Sequence, residues 1–165
     1  MPGTSRRVSE KSKLKLSGSC NCTALRKASR RVSQLYDDAL APCGLRTTQR
    51  AILNHVLRAG TPLIGELAES LVMDRGALAH NLKPLLRDGL IQIVSSETDR
   101  RNRLVALTRA GHSKLAESEA LWARAQSCFE ATFSASKSVS LRKALAFITS
   151  DQFLRSFEAT ARRFA

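Results

Sequence analysis

Apolar residues recur along most of this chain at three- and four-residue intervals, the spacing of one buried helix face. Leu25, Ala28, Val32, Leu35, Tyr36 and Leu40 set a first helix over Thr23 to Leu40, ended by Pro42 and Gly44. Thr47 or Thr48 is the expected cap of a second helix, with Ile52, Leu53 and Val56 inward and Gly60 near its end. Thr61-Pro62 opens a short third helix over Ile64 to Leu71. Asp74 caps a fourth that runs to about Asp88, where Gly89 terminates it. Pro84 lies inside that helix and removes one backbone hydrogen bond near its last turn.

The period then changes. Ile91 and Ile93, then Leu104, Val105 and Leu107, read as two antiparallel strands, and the segment between them is polar and charged. Helical spacing returns after Thr108, the expected cap of a long helix carrying Leu115, Leu121, Trp122, Ala125, Phe129 and Phe133. A single last helix is expected from Ser138 to about Phe164, with Leu141, Leu145, Ile148, Leu154 and Phe157 on one face.

Two short helices followed by a basic-tipped hairpin make a helix-turn-helix with a β-wing. The predicted fold class is mainly α with a small two- or three-stranded β-wing, flanked by long terminal dimerisation helices. Four segments follow: a basic N-terminal arm at 1–19, a first helix at 20–46 that joins the dimerisation region, a winged unit at 47–108, and C-terminal dimerisation helices at 109–165. The terminal helices carry more apolar surface than a small wing domain can cover, so a second copy of the chain is their expected cover.

Charge narrows the partner. Lys plus Arg number 27 against 14 Asp plus Glu, for a net charge of +13. A globular chain this basic generally meets a polyanion. Residues 1–19 hold five of these cations and one acid, Glu10, and read as a flexible arm suited to phosphate contact or to solvation alone. No apolar run approaches the ~20 residues of a membrane span, and no apolar signal core stands near Met1, so a cytoplasmic location without membrane contact is expected. In that compartment Cys20, Cys22, Cys43 and Cys128 are expected as reduced thiols. Cys20-Asn21-Cys22 lacks a zinc-ligand spacer, and there is no Gly-rich phosphate loop or nucleophile elbow, so neither a metal, a cofactor nor an enzyme is expected.

The fourth helix carries the candidate base contacts. Burying Leu78, Leu82 and Leu85 leaves Arg75, Gly76, Ala77, His80 and Asn81 outward in its first two turns, where a recognition helix meets base edges. Asn81 has the donor–acceptor pair for adenine, and Arg75 suits guanine or phosphate. Gly76 and Ala77 permit close approach, Lys83 suits phosphate, and the helix N-terminus itself attracts an anion.

These residues resemble the MarR family of bacterial transcriptional regulators over roughly residues 20–165. Asp99-Arg100-Arg101-Asn102-Arg103-Leu104-Val105-Ala106-Leu107-Thr108 is similar to the family's wing signature. Leu45-Arg46-Thr47-Thr48-Gln49 resembles the entry to its second helix. Glu66-Leu67-Ala68 and Met73-Asp74-Arg75, then Asn81-Leu82, resemble its helix-turn-helix. The resemblance implies a homodimer, most commonly a repressor, on a palindromic double-stranded DNA operator. It implies wing arginines Arg100, Arg101 and Arg103 at the DNA, with Asp99 forked to Arg101 or Arg103 and orienting it. Many relatives carry Ser or Thr at the positions of Gly76 and Ala79 and Arg at that of His80, so some base contacts are softened here. The alternative reading is an architectural DNA binder that senses charge and shape only.

The resemblance also implies release of DNA by a small aromatic acid or by thiol oxidation. Cys22 matches the reactive cysteine of the branch that senses organic hydroperoxides, at the start of the first helix and with Arg26 and Arg30 one and two turns on. Arg30, Tyr36, His55 and Trp122 are the residue types that hold an aromatic carboxylate. The two routes stay open at this stage.

Overall fold

The computed structural model describes residues 20–95 and 102–164. Helix α1 spans Asn21–Leu40, starting two residues before the expected Thr23. Cys20 is its extended cap residue, and the Cys20 carbonyl accepts the first helical bond from Ala24 N–H at 3.0 Å. Its early turns are exposed, and Tyr36 and Leu40 are its buried residues. A single 3-10 turn, Ala41–Cys43, follows and ends at Gly44, whose φ of 72° is left-handed.

Helix α2 spans Thr47–Ala59. Neither Thr47 nor Thr48 caps it. The cap position falls on Arg46, whose backbone N–H donates to Gln49 Oε1 at 2.8 Å. Thr47 N–H donates instead to Asp37 Oδ1 on α1, at 2.6 Å. The acceptor that satisfies this helix end thus comes from another element, which local spacing does not reveal.

Partial burial pushes the Asp37 carboxyl up, but hydrogen bonds from Thr47 and Arg46 outweigh it and hold the group below its ordinary value. A depressed carboxylate contributes stability that is complete above the unfolded value of about 3.9 and is lost as pH falls through the folded one. Replacing Asp37 by alanine is therefore expected to cost about 1 kcal/mol at pH 7, the usual size of a lost helix cap. That difference from wild type should shrink on acidification below about pH 3.9. Urea unfolding at both pH values checks it, and an undiminished difference in acid would refute the assignment.

Helix α3, Ile64–Ser70, leads through Val72 (φ 52°) to helix α4, Arg75–Arg87. Asp74 caps α4 as expected, its Oδ1 accepting from Ala77 N–H at 2.8 Å. Pro84 does not end the helix: Asp88 N–H still reaches the Pro84 carbonyl at 2.9 Å. Strands β1, Ile91–Ser95, and β2, Arg103–Leu107, pair antiparallel, with Ile91 opposite Leu107 and Ser95 opposite Arg103. A third strand is reduced to one bridge between Leu63 and Leu104, beside a bond from Val105 N–H to the Pro62 carbonyl.

Helix α5, Arg109–Phe133, starts at the expected cap, with Thr108 Oγ1 accepting from Gly111 N–H at 3.0 Å. The expected last helix is two. Helix α6, Ala135–Ile148, follows Ser134 at φ 83°, and helix α7 spans Asp151–Ala161. The break lies at Thr149-Ser150, where the Ser150 hydroxyl donates to the Phe147 carbonyl and accepts from Phe153 N–H. Apolar spacing runs through this joint, so the polar pair decides against it.

The core gathers Leu40, Ile52, Leu53, Val56, Leu67, Leu78, Leu85 and Val105 from α1 to β2, with Leu115 of α5. Helix α2 is its hub, packing on α3, α4, β2 and α5. Helices α6 and α7 bury little: Leu154 is 55% exposed and Phe157 63%.

Candidate nucleic-acid interface

Helix α4 divides its residues as its spacing requires. Leu78, Leu82 and Leu85 are buried at i, i+4 and i+7. Arg75, Gly76, Ala79, His80 and Lys83 are exposed, and Ala77 and Asn81 are half-buried. The two cations and His80 thus stand on the solvent face of a helix whose other face is locked in the core. A Cβ at Gly76 would lie 3.2 Å from the capping Asp74 Oδ1, so the carboxylate would have to give by a few tenths of an ångström.

Asn81 makes a bond that its spacing does not show. Its Nδ2 donates to the Ala77 carbonyl at 2.8 Å, inside its own helix. One N–H of the amide is used in this way; its second N–H and its Oδ1 remain, the pair that a bidentate contact with adenine uses.

Arg103 is exposed at the first position of β2, beside the hairpin tip. Asp99, Arg100 and Arg101, and the fork expected of Asp99, lie outside the described residues, as does the arm at 1–19. The described wing residues therefore place one of the three expected arginines.

The groove that Tyr36 lines does not include the other effector candidates. Tyr36 is buried, and its hydroxyl donates to Gln126 Oε1 at 2.8 Å. Burial, then the nearby Glu130 charge, push that hydroxyl above its ordinary value. Tyr36 lines an apolar groove of about 870 Å³ between α1 and α5, with Leu35, Leu121, Ala125, Phe129 and Phe133. Arg30, His55 and Trp122 are not in its wall. Arg30 is exposed, and His55 Nδ1 lies 2.9 Å from the Ala51 carbonyl. Cys22 is exposed in the first turn of α1, but the cap position belongs to Cys20. Hydrogen bonding from the Thr23 side chain, first, and from backbone N–H groups lowers the Cys20 thiol.

One buried group was not foreseen. Arg50 of α2 is only 7% exposed. Its Nε donates to Ser118 Oγ at 3.1 Å and its Nη2 to Glu119 Oε2 at 2.6 Å. Its guanidinium carbon lies 4.5 Å from the centre of the Trp122 ring. Trp122, a ligand candidate in sequence, is thus half-buried beneath an arginine. The partners are 68 and 69 residues away in sequence, and no local pattern announces the pairing.

A model of the MarR family matches residues 44–102. The chain is 38% identical over 71 residues to the transcriptional activatory protein BadR of Rhodopseudomonas palustris, a segment covering 41% of this chain and 41% of that protein. The match therefore spans less than half of that relative's length. The fold is similar to the M. tuberculosis transcriptional regulator MOSR in complex with DNA, at 30% identity and a TM-score of 0.72, covering 86% of this chain and 98% of that one. It is similar also to a probable transcriptional regulator from Pseudomonas aeruginosa, at 27% identity and a TM-score of 0.70, covering 79% and 98%.

Proposed function

The chain belongs to the MarR family of transcriptional regulators, and on that premise we propose that it binds a palindromic DNA operator as a homodimer. It acts as a regulator, not an enzyme. The observation that carries the reading is the solvent face of α4, with Arg75, His80 and Lys83 beside a hairpin whose sequence holds Arg100, Arg101 and Arg103. One α4 enters each of two successive major grooves, about 34–36 Å apart, and the wing follows the adjacent backbone. Arg75 reads guanine or holds phosphate, Lys83 holds phosphate, Asn81 pairs with adenine, and Gly76 and Ala77 allow close approach. Asp99 orients a wing arginine.

Residues 47–108 form the DNA-binding unit, and 20–46 with 109–165 the dimerisation region. Exposed Leu154 and Phe157 on α7, and Leu35 on α1, support that division, because faces this apolar are ordinarily covered. Dimer formation places the two copies of α4 at fixed spacing. A small aromatic acid, or oxidation at Cys22, releases DNA by favouring another spacing. Repression through promoter occupancy is the proposed outcome, and a promoter–reporter assay in cells decides between it and activation.

Fluorescence anisotropy tests the reading, with the DNA upstream of the chain's own gene against a scrambled duplex at about 150 mM salt. The expected result is at least about a hundredfold preference for the native duplex, within the usual range of specific over non-specific binding. Equal binding to both would move the reading to an architectural binder of charge and shape.

A further inference from the structure

Arg50 has no place in the DNA contacts proposed above, because it is buried and turned toward α5. A charge this deep is expensive, and well-packed apolar residues at such a site usually serve stability as well or better. What an arginine adds is direction. Its planar fork holds two acceptors at fixed angles, and its face stacks on an aromatic ring. All three features are used here: Ser118 Oγ takes Nε, Glu119 takes Nη2, and Trp122 lies against the guanidinium. The acceptor Ser118 is itself fully buried and fixed, its hydroxyl donating to the Leu115 carbonyl at 2.7 Å.

The location gives this cluster its consequence. Among the described residues, Arg50 makes the only side-chain hydrogen bonds from residues 47–107 to α5. Helix α2 is also the element on which α3, α4 and β2 pack. The angle at which α2 meets α5 therefore sets the angle at which α4 stands to the rest of the subunit.

We propose that Arg50 is a positioning residue for DNA binding: its fork to Ser118 and Glu119 and its stacking on Trp122 lock α2 to α5, and so fix the attitude of α4. This rests on the DNA-binding reading. Ligands or mutations that shift α5 act on α4 through this joint.

Arg50→Met is the informative variant. It keeps an apolar stem against Trp122 and strands nothing, since Ser118 retains Leu115 and the Glu119 side chain is 63% exposed. The expected result is thermal unfolding within a few degrees of wild type but native-duplex affinity lower by about tenfold, the scale of coupling through a packed network. The salt slope should be unchanged, because no phosphate contact is lost. Arg50→Lys, which keeps the Glu119 pair and loses the fork, should restore part of the affinity. Hydrogen exchange of α2 and the middle of α5 reads the joint without DNA and should quicken in Arg50→Met.

Unchanged affinity or unchanged exchange in Arg50→Met would overturn the proposal. So would a salt slope reduced by about one, the mark of a direct phosphate contact. Should Arg50→Met fail to fold, Glu119→Gln carries the same test, with a weaker loss expected and unchanged binding contradicting it. Failure of wild type to prefer the native duplex would instead strike the DNA-binding reading, and the exchange result would still decide the joint.

Discussion

Replacing Gly111 by alanine is expected to destabilise the fold by about 3 kcal/mol, at the upper end of the usual overpacking range. A Cβ at Gly111 would lie 2.0 Å from the Leu90 carbonyl oxygen and 3.2 Å from Leu107 Cδ2. The carbonyl cannot simply withdraw, since it accepts from Thr108 N–H at 3.1 Å. That bond and the Thr108 cap together seat the first turn of α5 against the end of β2. Alanine's better helix propensity, worth about 1 kcal/mol, offsets only part of such a clash. For a chain of this size the expected fall in melting temperature is roughly 6–12 °C. Gly65→Ala is the internal control: it lies in α3, its Cβ meets nothing within 4 Å, and it should be neutral or mildly stabilising. A Gly111→Ala protein melting with wild type would show that α5 does not seat this closely.

The second large effect is on binding. Changing both Arg75 and Arg103 to alanine is expected to weaken operator binding roughly a hundredfold, taking each contact at about 1.4 kcal/mol. Arg75 opens α4 and Arg103 opens β2, and both side chains are exposed, so stability should stay within about 0.5 kcal/mol of wild type. The salt slope separates their roles. Two lost phosphate contacts would lower it by about two, whereas a base contact at Arg75 would lower it by about one and relax preference at one base pair. Unaltered affinity in the double variant would remove both residues from the interface.

What the sequence discloses and what it hides divide by the range of the interactions. The stripe of Leu78, Leu82 and Leu85, the Asp74 and Thr108 caps and the turn at Gly89 are all set within a few residues, and local pattern locates them. The hairpin register is similarly fixed by alternation, with Ile91 and Val105 buried. The cap of α2 is hidden because Asp37, ten residues away on another helix, supplies it. Arg50 is hidden for the same reason over a longer span. The division of α6 from α7 escapes because apolar spacing outvotes Thr149-Ser150, although a serine followed by Asp151 is a helix-start signal.

At the candidate interface, the outward face of α4 is legible because its inward face is. The bond from Asn81 to the Ala77 carbonyl is not, since a rotamer choice on a half-buried side chain leaves no periodic trace. The effector residues are the least legible. Tyr36, His55 and Trp122 are drawn by chemistry alone, and each finds a separate partner in the fold.

On the proposed function, two copies of α4 and two wings read one operator together. Hydroxyl-radical footprinting of the DNA upstream of the chain's own gene measures this most directly. Two protected patches related by a dyad are expected, their centres one helical turn, about 10 base pairs, apart or a multiple of it, and absent from the scrambled duplex. A single unpaired patch, or even protection spread alike over both duplexes, would contradict it.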